Sequence, residues 1–421
     1  MKRSTGLAAA GLALLFAQSV RLSGQTYQPF RDEYRTIQQH KLHLGPVRFV
    51  PAFRLTDVGY DSNVYFADET SQPVGDFTAT LSPELRAYWL ASGSLILWGM
   101  ENPEFLGYVN EMALRSFSNS VAGGLRWLVL QRFCLSAEYH DLSHVRRYLS
   151  DLDHRIRDTS TGGTASLFFE TPRGTAIGVS GGVEDYRYED VASGAPDDVY
   201  GRSLDRRETS AGFEAYYRVF SRSYILSSLV WRRYDFRFPE TAWRDGASIE
   251  AWAGFRFPLV GLARGAVRFG WKSFRPDDPN RTAFSGLVAA TDVSFRLGRF
   301  AFRLGLDRDN SFSYIESAYY YIENRARAGV SFYLFQFLRL DLGADHGTMF
   351  YPEPQEILVD GVPVIVEDRE DVQTNLSFGP VVRISGSAGL GLTCNYYVRA
   401  SNAPGFDVRQ YFIGAFVTYE F

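Results

Sequence analysis

The feature that most constrains this chain is an alternation of apolar and polar residues with period two, which sets in near residue 45 and lasts to the C-terminus. Successive side chains of an extended strand point to opposite faces, so the pattern builds a wall that is greasy on one side and wet on the other. At the end of the chain Tyr411, Ile413, Ala415, Val417, Tyr419 and Phe421 share one face, against Phe412, Gly414, Phe416, Thr418 and Glu420. Thr209, Ala211, Phe213, Ala215 and Tyr217 oppose Glu208, Ser210, Gly212, Glu214 and Arg218 in the same way. Ile249, Ala251, Ala253 and Phe255 oppose Glu250, Trp252, Gly254 and Arg256.

The connections alternate too. Short links near Ala91–Ser94, Gln131–Arg132, Thr171–Thr175, Ser221–Ser223, Pro258–Leu262, Gly298–Arg299, Phe335–Gln336 and Ser385–Ala388 are separated by longer polar ones. The long links lie near Thr56–Gly75, Glu101–Phe117, Asp141–Asp158, Glu189–Asp205, Arg237–Gly246, Arg275–Arg281, Asp307–Ala318, Met349–Asp371 and Ala400–Arg409. Tight turns on one side and long loops on the other predict an all-β fold, a single transmembrane antiparallel up-and-down β-barrel. The count is about 18 strands, or 16 if the poorly alternating stretches Leu95–Met100 and Tyr224–Phe236 are not strands. A soluble sandwich or propeller would have to hide every aromatic row, and no repeat of 40–50 residues is visible, as a propeller would need.

The N-terminus predicts export. Lys2 and Arg3 precede an apolar run from Leu7 to Ala17, too short to span a membrane as a helix, with candidate cleavage sites at Ala17-Gln18-Ser19 and Gly24. The expected organisation is a signal peptide over 1–24, a short, polar, irregular periplasmic lead-in over 25–44, and a barrel over 45–421 in the outer membrane of a Gram-negative cell. Lipid and lipopolysaccharide are then the expected surroundings. Tyr411, Ile413, Val417, Tyr419 and Phe421 form an alternating aromatic terminus that resembles the β-signal read by the barrel assembly machinery. With 44 basic against 48 acidic residues the formal net charge is -4, which excludes the basic surface expected of a nucleic-acid partner.

Charges facing lipid would cost about 2–4 kcal/mol each at the midplane, so the charged parity must face the lumen. It carries Arg206, Glu208, Glu214, Arg218, Glu250, Arg256, Arg268, Glu323, Arg325, Arg327, Arg339, Asp341 and Arg383, with Asp292, Arg296, Arg303 and Asp345. These are candidate pore-lining residues, either bracing the wall as salt bridges or forming a charged ladder for a polar solute. The signs are mixed, so no anion or cation preference follows.

No catalytic chemistry emerges, and neither an enzyme nor a cofactor is expected. Gly178-Val179-Ser180-Gly181-Gly182 has the spacing of a nucleophile elbow but lies inside an alternating strand. His140, His144 and His154, in and beside one long link, read as a solvated surface cluster in preference to a metal site. Cys134 and Cys394 fall on opposite parities, so no disulfide is expected. Ile357–Val366 reads as a hairpin turning at Asp360-Gly361, either folded into the pore or extending outward.

The opening of the barrel carries a resemblance. Val47-Arg48-Phe49-Val50-Pro51-Ala52-Phe53-Arg54-Leu55 runs into Gly59-Tyr60-Asp61-Ser62-Asn63-Val64-Tyr65, followed by Leu81-Ser82-Pro83-Glu84-Leu85 and later Ser118 to Trp127. This resembles the putative β-barrel porin family, second type, over about residues 45–421. The resemblance implies a porin-like channel or conduit for polar solutes, with exopolysaccharide as one implied cargo. A non-conducting barrel acting as scaffold, adhesin or surface receptor is the alternative. Asp61 and Asn63 themselves suit a tight turn, because their side chains satisfy nearby backbone.

Overall fold

A computed structural model describes residues 28–420 apart from 69–71, 147–155, 191–201, 221–222, 258–262, 315–317 and 360–361. The predicted signal peptide and Phe421 lie outside the described residues. The stretch read as irregular contains a helix, α1 (Phe30–Gln38), and a two-residue strand, β1 (His43–Leu44), follows it. The wall begins with β2 (Val47–Asp61), β3 (Asp76–Ser92), β4 (Leu95–Tyr108), β5 (Ser116–Val129), β6 (Phe133–Arg146) and β7 (Ile156–Glu170). It continues with β8 (Ala176–Asp190), β9 (Arg206–Arg218), β10 (Tyr224–Phe236), β11 (Gly246–Phe257), β12 (Ala263–Pro276) and β13 (Phe284–Leu297). It ends with β14 (Phe300–Phe312), β15 (Tyr320–Tyr333), β16 (Leu338–Phe350), β19 (Glu370–Arg383), β20 (Ala388–Ser401) and β21 (Val408–Glu420). The intervening β17 (Gln355–Val359) and β18 (Val362–Val366) form a separate two-stranded sheet.

Every wall strand pairs antiparallel with its neighbours in sequence, and β2 pairs with β21 to close the ring at 18 strands. Leu95–Met100 and Tyr224–Phe236 are full members, as β4 and β10, so the lower count of 16 is excluded. The short links whose residues are all described are tight. Between β5 and β6, Leu130 and Gln131 both take positive φ, the signature of a type I′ hairpin turn, whose twist matches the strands it joins. The long links are shorter than their polarity implied. The strands persist through Thr56–Asp61, Glu101–Tyr108, Asp141–Arg146 and Asp307–Phe312, where polar residues interrupt the alternation while the backbone pairing continues.

The outward rows match the apolar parity. Phe213, Ile249, Phe269, Trp271, Leu376, Ile413 and Tyr419 are exposed, whereas Glu250, Lys272 and Phe274 on the opposite parity are buried. Cys134 is buried on the inner face, and Cys394 is exposed on the outer one.

The closing seam has its own fastening. A bulge in β2 places Asp57 at φ 53°, and Thr78 and Thr80 hold it by donating to its carbonyl and carboxylate at 2.8 and 3.0 Å. At the loop end, buried Asp61 accepts from the Asn63 N–H at 3.0 Å and from the Gln410 amide of β21 at 2.7 Å. Asn63 bonds Ala67 in both directions, donating at 2.8 Å and accepting at 2.9 Å. These are the turn roles expected of Asp61 and Asn63.

Asn63→Ala is expected to lower stability by about 1–3 kcal/mol, because it leaves buried backbone groups unsatisfied. Urea unfolding in detergent, followed by tryptophan fluorescence, measures this; an unchanged midpoint would contradict the fastening role.

Candidate functional site in the barrel interior

Three tiers occupy the inner face, counted from the end that carries the short turns. The first is α1. Its apolar residues Phe30, Tyr34 and Ile37 fall on one side of a nine-residue helix. They pack on inward residues near the turn ends of β3–β10, including Leu90, Ile96, Leu128, Phe168, Tyr216 and Tyr224. Burying Phe30 and Ile37 contributes about 1.5–3 kcal/mol each. The Glu170 carboxylate accepts the Phe30 N–H at 3.1 Å, placing negative charge at the positive end of the helix dipole. Glu33 pairs with Arg126, which also donates to the Gln28 carbonyl at 2.8 Å. Arg31 reaches the Gln131 side chain of the β5–β6 turn at 2.7 Å. Just beyond the helix His40 stacks on Tyr88, and burial holds its imidazole below the usual histidine range. The i, i+4, i+7 spacing of Phe30, Tyr34 and Ile37 is the sequence signal for this element, hidden by the charges between them.

The second tier is a girdle of charge that spreads from Arg339 and Arg383 at the turn end to Arg206 at the loop end. Glu250 lies between Arg232 at 3.5 Å and Lys272 at 3.4 Å, contributed by the strands on either side, and Lys272 also binds Asp309 at 2.8 Å. Arg325 bridges Asp345 at 2.8 Å and Glu323 at 3.4 Å. Arg206 binds Glu208 at 2.8 Å, Arg339 binds Asp341 at 2.7 Å, Arg303 binds Asp292 at 2.5 Å, and Arg327 pairs with Asp307. Other candidates meet neutral groups. Glu214 accepts from Tyr216 at 2.6 Å and Ser180 at 3.3 Å. Arg218 donates to the Arg173 and Phe220 carbonyls, Arg256 lies over the Tyr224 ring, and Arg268 over Trp252. Arg383 lines a cavity at the turn end with Arg339, Tyr333 and Phe416.

The third tier is aromatic and ties the long loops together. Tyr188, Tyr234, Phe236, Phe274, Phe284, Tyr314, Tyr319 and Tyr320 form one buried cluster. Fully buried Arg244 donates to the Ser313 carbonyl at 2.7 Å, and the Tyr319 hydroxyl donates to the Arg244 carbonyl at 2.9 Å. Glu353 accepts the N–H groups of Thr282 at 3.0 Å and Tyr319 at 3.3 Å, joining three loops through one carboxylate. Beyond it, Arg369 is buried against Asp371 at 2.6 Å and lies 3.7 Å from the Phe406 ring centre. The predicted hairpin is present as β17 and β18; Gln355 at its base is buried and bonded to Arg369 at 3.1 Å, while Ile365 is exposed.

His140 and His144 belong to β6 itself, not to a loop. His140 faces Glu184 at 3.3 Å and His144 meets Ser120 at 3.1 Å; His154 lies outside the described residues. Sequence parity placed part of the girdle on one face but left out Arg232, Lys272, Asp307 and Asp309 and could not name the pairings; it also missed the third tier, whose members come from six separate strands and links.

Glu250→Gln is expected to destabilise the barrel by about 3 kcal/mol, since it leaves buried Lys272 and half-buried Arg232 short of their shared partner. Adding Lys272→Met to that variant should recover part of the loss. Urea midpoints of the single and double variants read this directly, and purely additive losses would rule out the coupling.

Comparison with solved structures gives outer-membrane barrels. The outer-membrane protein OpdK of Pseudomonas aeruginosa superimposes with a TM-score of 0.50 at 14% identity, covering 90% of this chain and 99% of that one. OccK3 (OpdO) of the same organism gives 0.49 at 13% identity, covering 90% and 96%. The siderophore receptor PirA, also from Pseudomonas aeruginosa, gives 0.44 at 10% identity, covering 89% and 80%. At these identities the likeness to OpdK is one of fold alone. No curated protein matches the chain. The family described as Putative beta-barrel porin 2 matches residues 142–421, downstream of the opening segments that first suggested it.

Proposed function

Because the chain belongs to the Putative beta-barrel porin 2 family, we propose that it is a passive conduit for polar solutes across the outer membrane of a Gram-negative cell. The observation that carries this reading is the girdle: an 18-strand ring commits its inner face to paired charges, which suits a hydrated lumen. In this reading the short turns and α1 face the periplasm and the long loops stand among lipopolysaccharide. Residues 1–24 serve as the export signal. Exopolysaccharide is the cargo that the family resemblance adds to the proposal.

The docked helix and the cross-tied loops favour a second reading, a plugged barrel acting as scaffold, adhesin or surface receptor. Single-channel recording in planar bilayers separates the two. The conduit reading expects stepwise currents from the mature chain, and larger steps once residues 25–42 are removed. Silence from both forms, with the barrel shown folded, would leave the second reading in place.

Tyr411, Ile413, Val417, Tyr419 and Phe421 are proposed as the segment read by the barrel assembly machinery. Replacing Tyr419 and Phe421 with serine is expected to reduce the folded, heat-modifiable fraction in outer-membrane preparations at least severalfold. An unchanged folded fraction would remove that role.

A further inference from the structure

The mixed signs of the inner wall are sorted by height. Between β11 and β19, the inward positions within six residues of the short turns hold Arg256, Arg264, Arg268, Arg296, Arg303, Arg339 and Arg383. The same positions hold two carboxylates, Asp292 and Asp341, already engaged by Arg303 and Arg339. Seven cations therefore meet two anions in this sector, whereas nearer the loop end the cations Arg232, Lys272 and Arg325 all sit beside carboxylates. Several of the lower arginines rest on neutral groups. Arg264 donates to the Ser294 hydroxyl at 3.0 Å and is exposed. Arg268 lies over Trp252 at 5.6 Å, and Arg296 lies over Tyr333 at 4.6 Å while donating to the Gly298 carbonyl at 3.2 Å. Arg383 opens onto the cavity whose wall includes Tyr333, Val381, Arg339 and Phe416, so a guanidinium and apolar surface border one space.

The placement of α1 sharpens this asymmetry. The apolar cluster that holds the helix reaches β3–β10 and takes in no residue of the arginine sector, where only Arg256, at its edge, feels the helix carboxylate Asp32. Within a confined mouth, unbalanced charge of one sign raises the local concentration of the opposite ion, and rings of arginine are a recurring device for anion pores.

We infer that this lip selects anionic solutes at the turn-end mouth and that the Arg383 cavity receives a carboxylate or phosphate group. The inference rests on the conduit reading for its transport consequence, but the site itself binds whether or not current flows. The test is the reversal potential of the full mature chain in planar bilayers under a potassium chloride gradient. The wild type is expected to favour chloride over potassium, more strongly in 0.1 M than in 1 M salt because screening shortens the field. In Arg264→Gln/Arg296→Gln/Arg383→Gln the permeability ratio should fall by about twofold per charge removed. The corresponding triple lysine variant should keep the preference, which separates charge from packing.

A conducting barrel that is unselective or prefers potassium overturns the inference while leaving the conduit intact; so does a glutamine variant with unchanged selectivity. A folded barrel that carries no current counts against the conduit reading instead. The lip is then judged by calorimetric titration with inorganic phosphate: binding that the glutamine variant loses supports it, and absent or unchanged binding overturns it.

Discussion

Everything in this molecule depends on the pairing of β2 with β21. A sheet in lipid cannot leave an edge, because each unpaired backbone group there costs several kcal/mol and has no water to turn to. The ring closes only if the first and last strands find one register, and the chain invests unusual local structure in that register. The left-handed Asp57 shifts the register of β2 against β21, Thr78 and Thr80 of β3 hold it from the other side, and the Asp61–Gln410 bond crosses the seam itself. The remaining neighbours are joined by hairpins and find their register locally; the seam joins residues nearly the whole chain apart.

Closure creates the interior, and the interior must then be satisfied on its own terms. Strand alternation delivers ionisable groups inward on every hairpin, and most find partners on the adjacent strand or two residues along. The result is a wall braced by its inner charges, while among the described residues the outer face carries ion pairs only towards the loop end, where Arg207 meets Asp185 and Arg233 meets Asp277. The two ends are treated differently. At the turn end an amphipathic helix lies against half of the wall, fixed by one ion pair and a carboxylate at its N-terminus. At the loop end, aromatic rings and buried arginines knit separate loops into one body.

The fold was legible because a period of two survives any choice of residue within its class. Tyr411 to Glu420 reads as a strand whichever apolar side chains fill it, and Leu130-Gln131 marks a turn by the break between two such runs. Legibility failed where the period was broken or masked. In Thr56–Asp61 the bulge at Asp57 shifts the parity by one, so the alternation breaks although Val58 stays on the outer face and the strand runs on. In Phe30–Gln38 the charges between Phe30, Tyr34 and Ile37 mask a helical spacing of only three apolar residues. For the interior, parity gives the face and nothing more. That Glu250 meets both Arg232 and Lys272 depends on the registers of β10, β11 and β12, which no single strand encodes.

The strands also exceed what a bilayer needs. They run 12 to 17 residues, whereas a tilted strand crosses hydrocarbon in about 9–11. Three or four spare residues per strand raise the rim by about 10 Å above the oil. In an outer membrane the knitted loops would therefore stand on a stiff parapet at the depth of the sugar headgroups. Whatever approaches from outside would meet a fixed relief, its shape set by hydrogen-bonded wall and not by the wandering of individual loops.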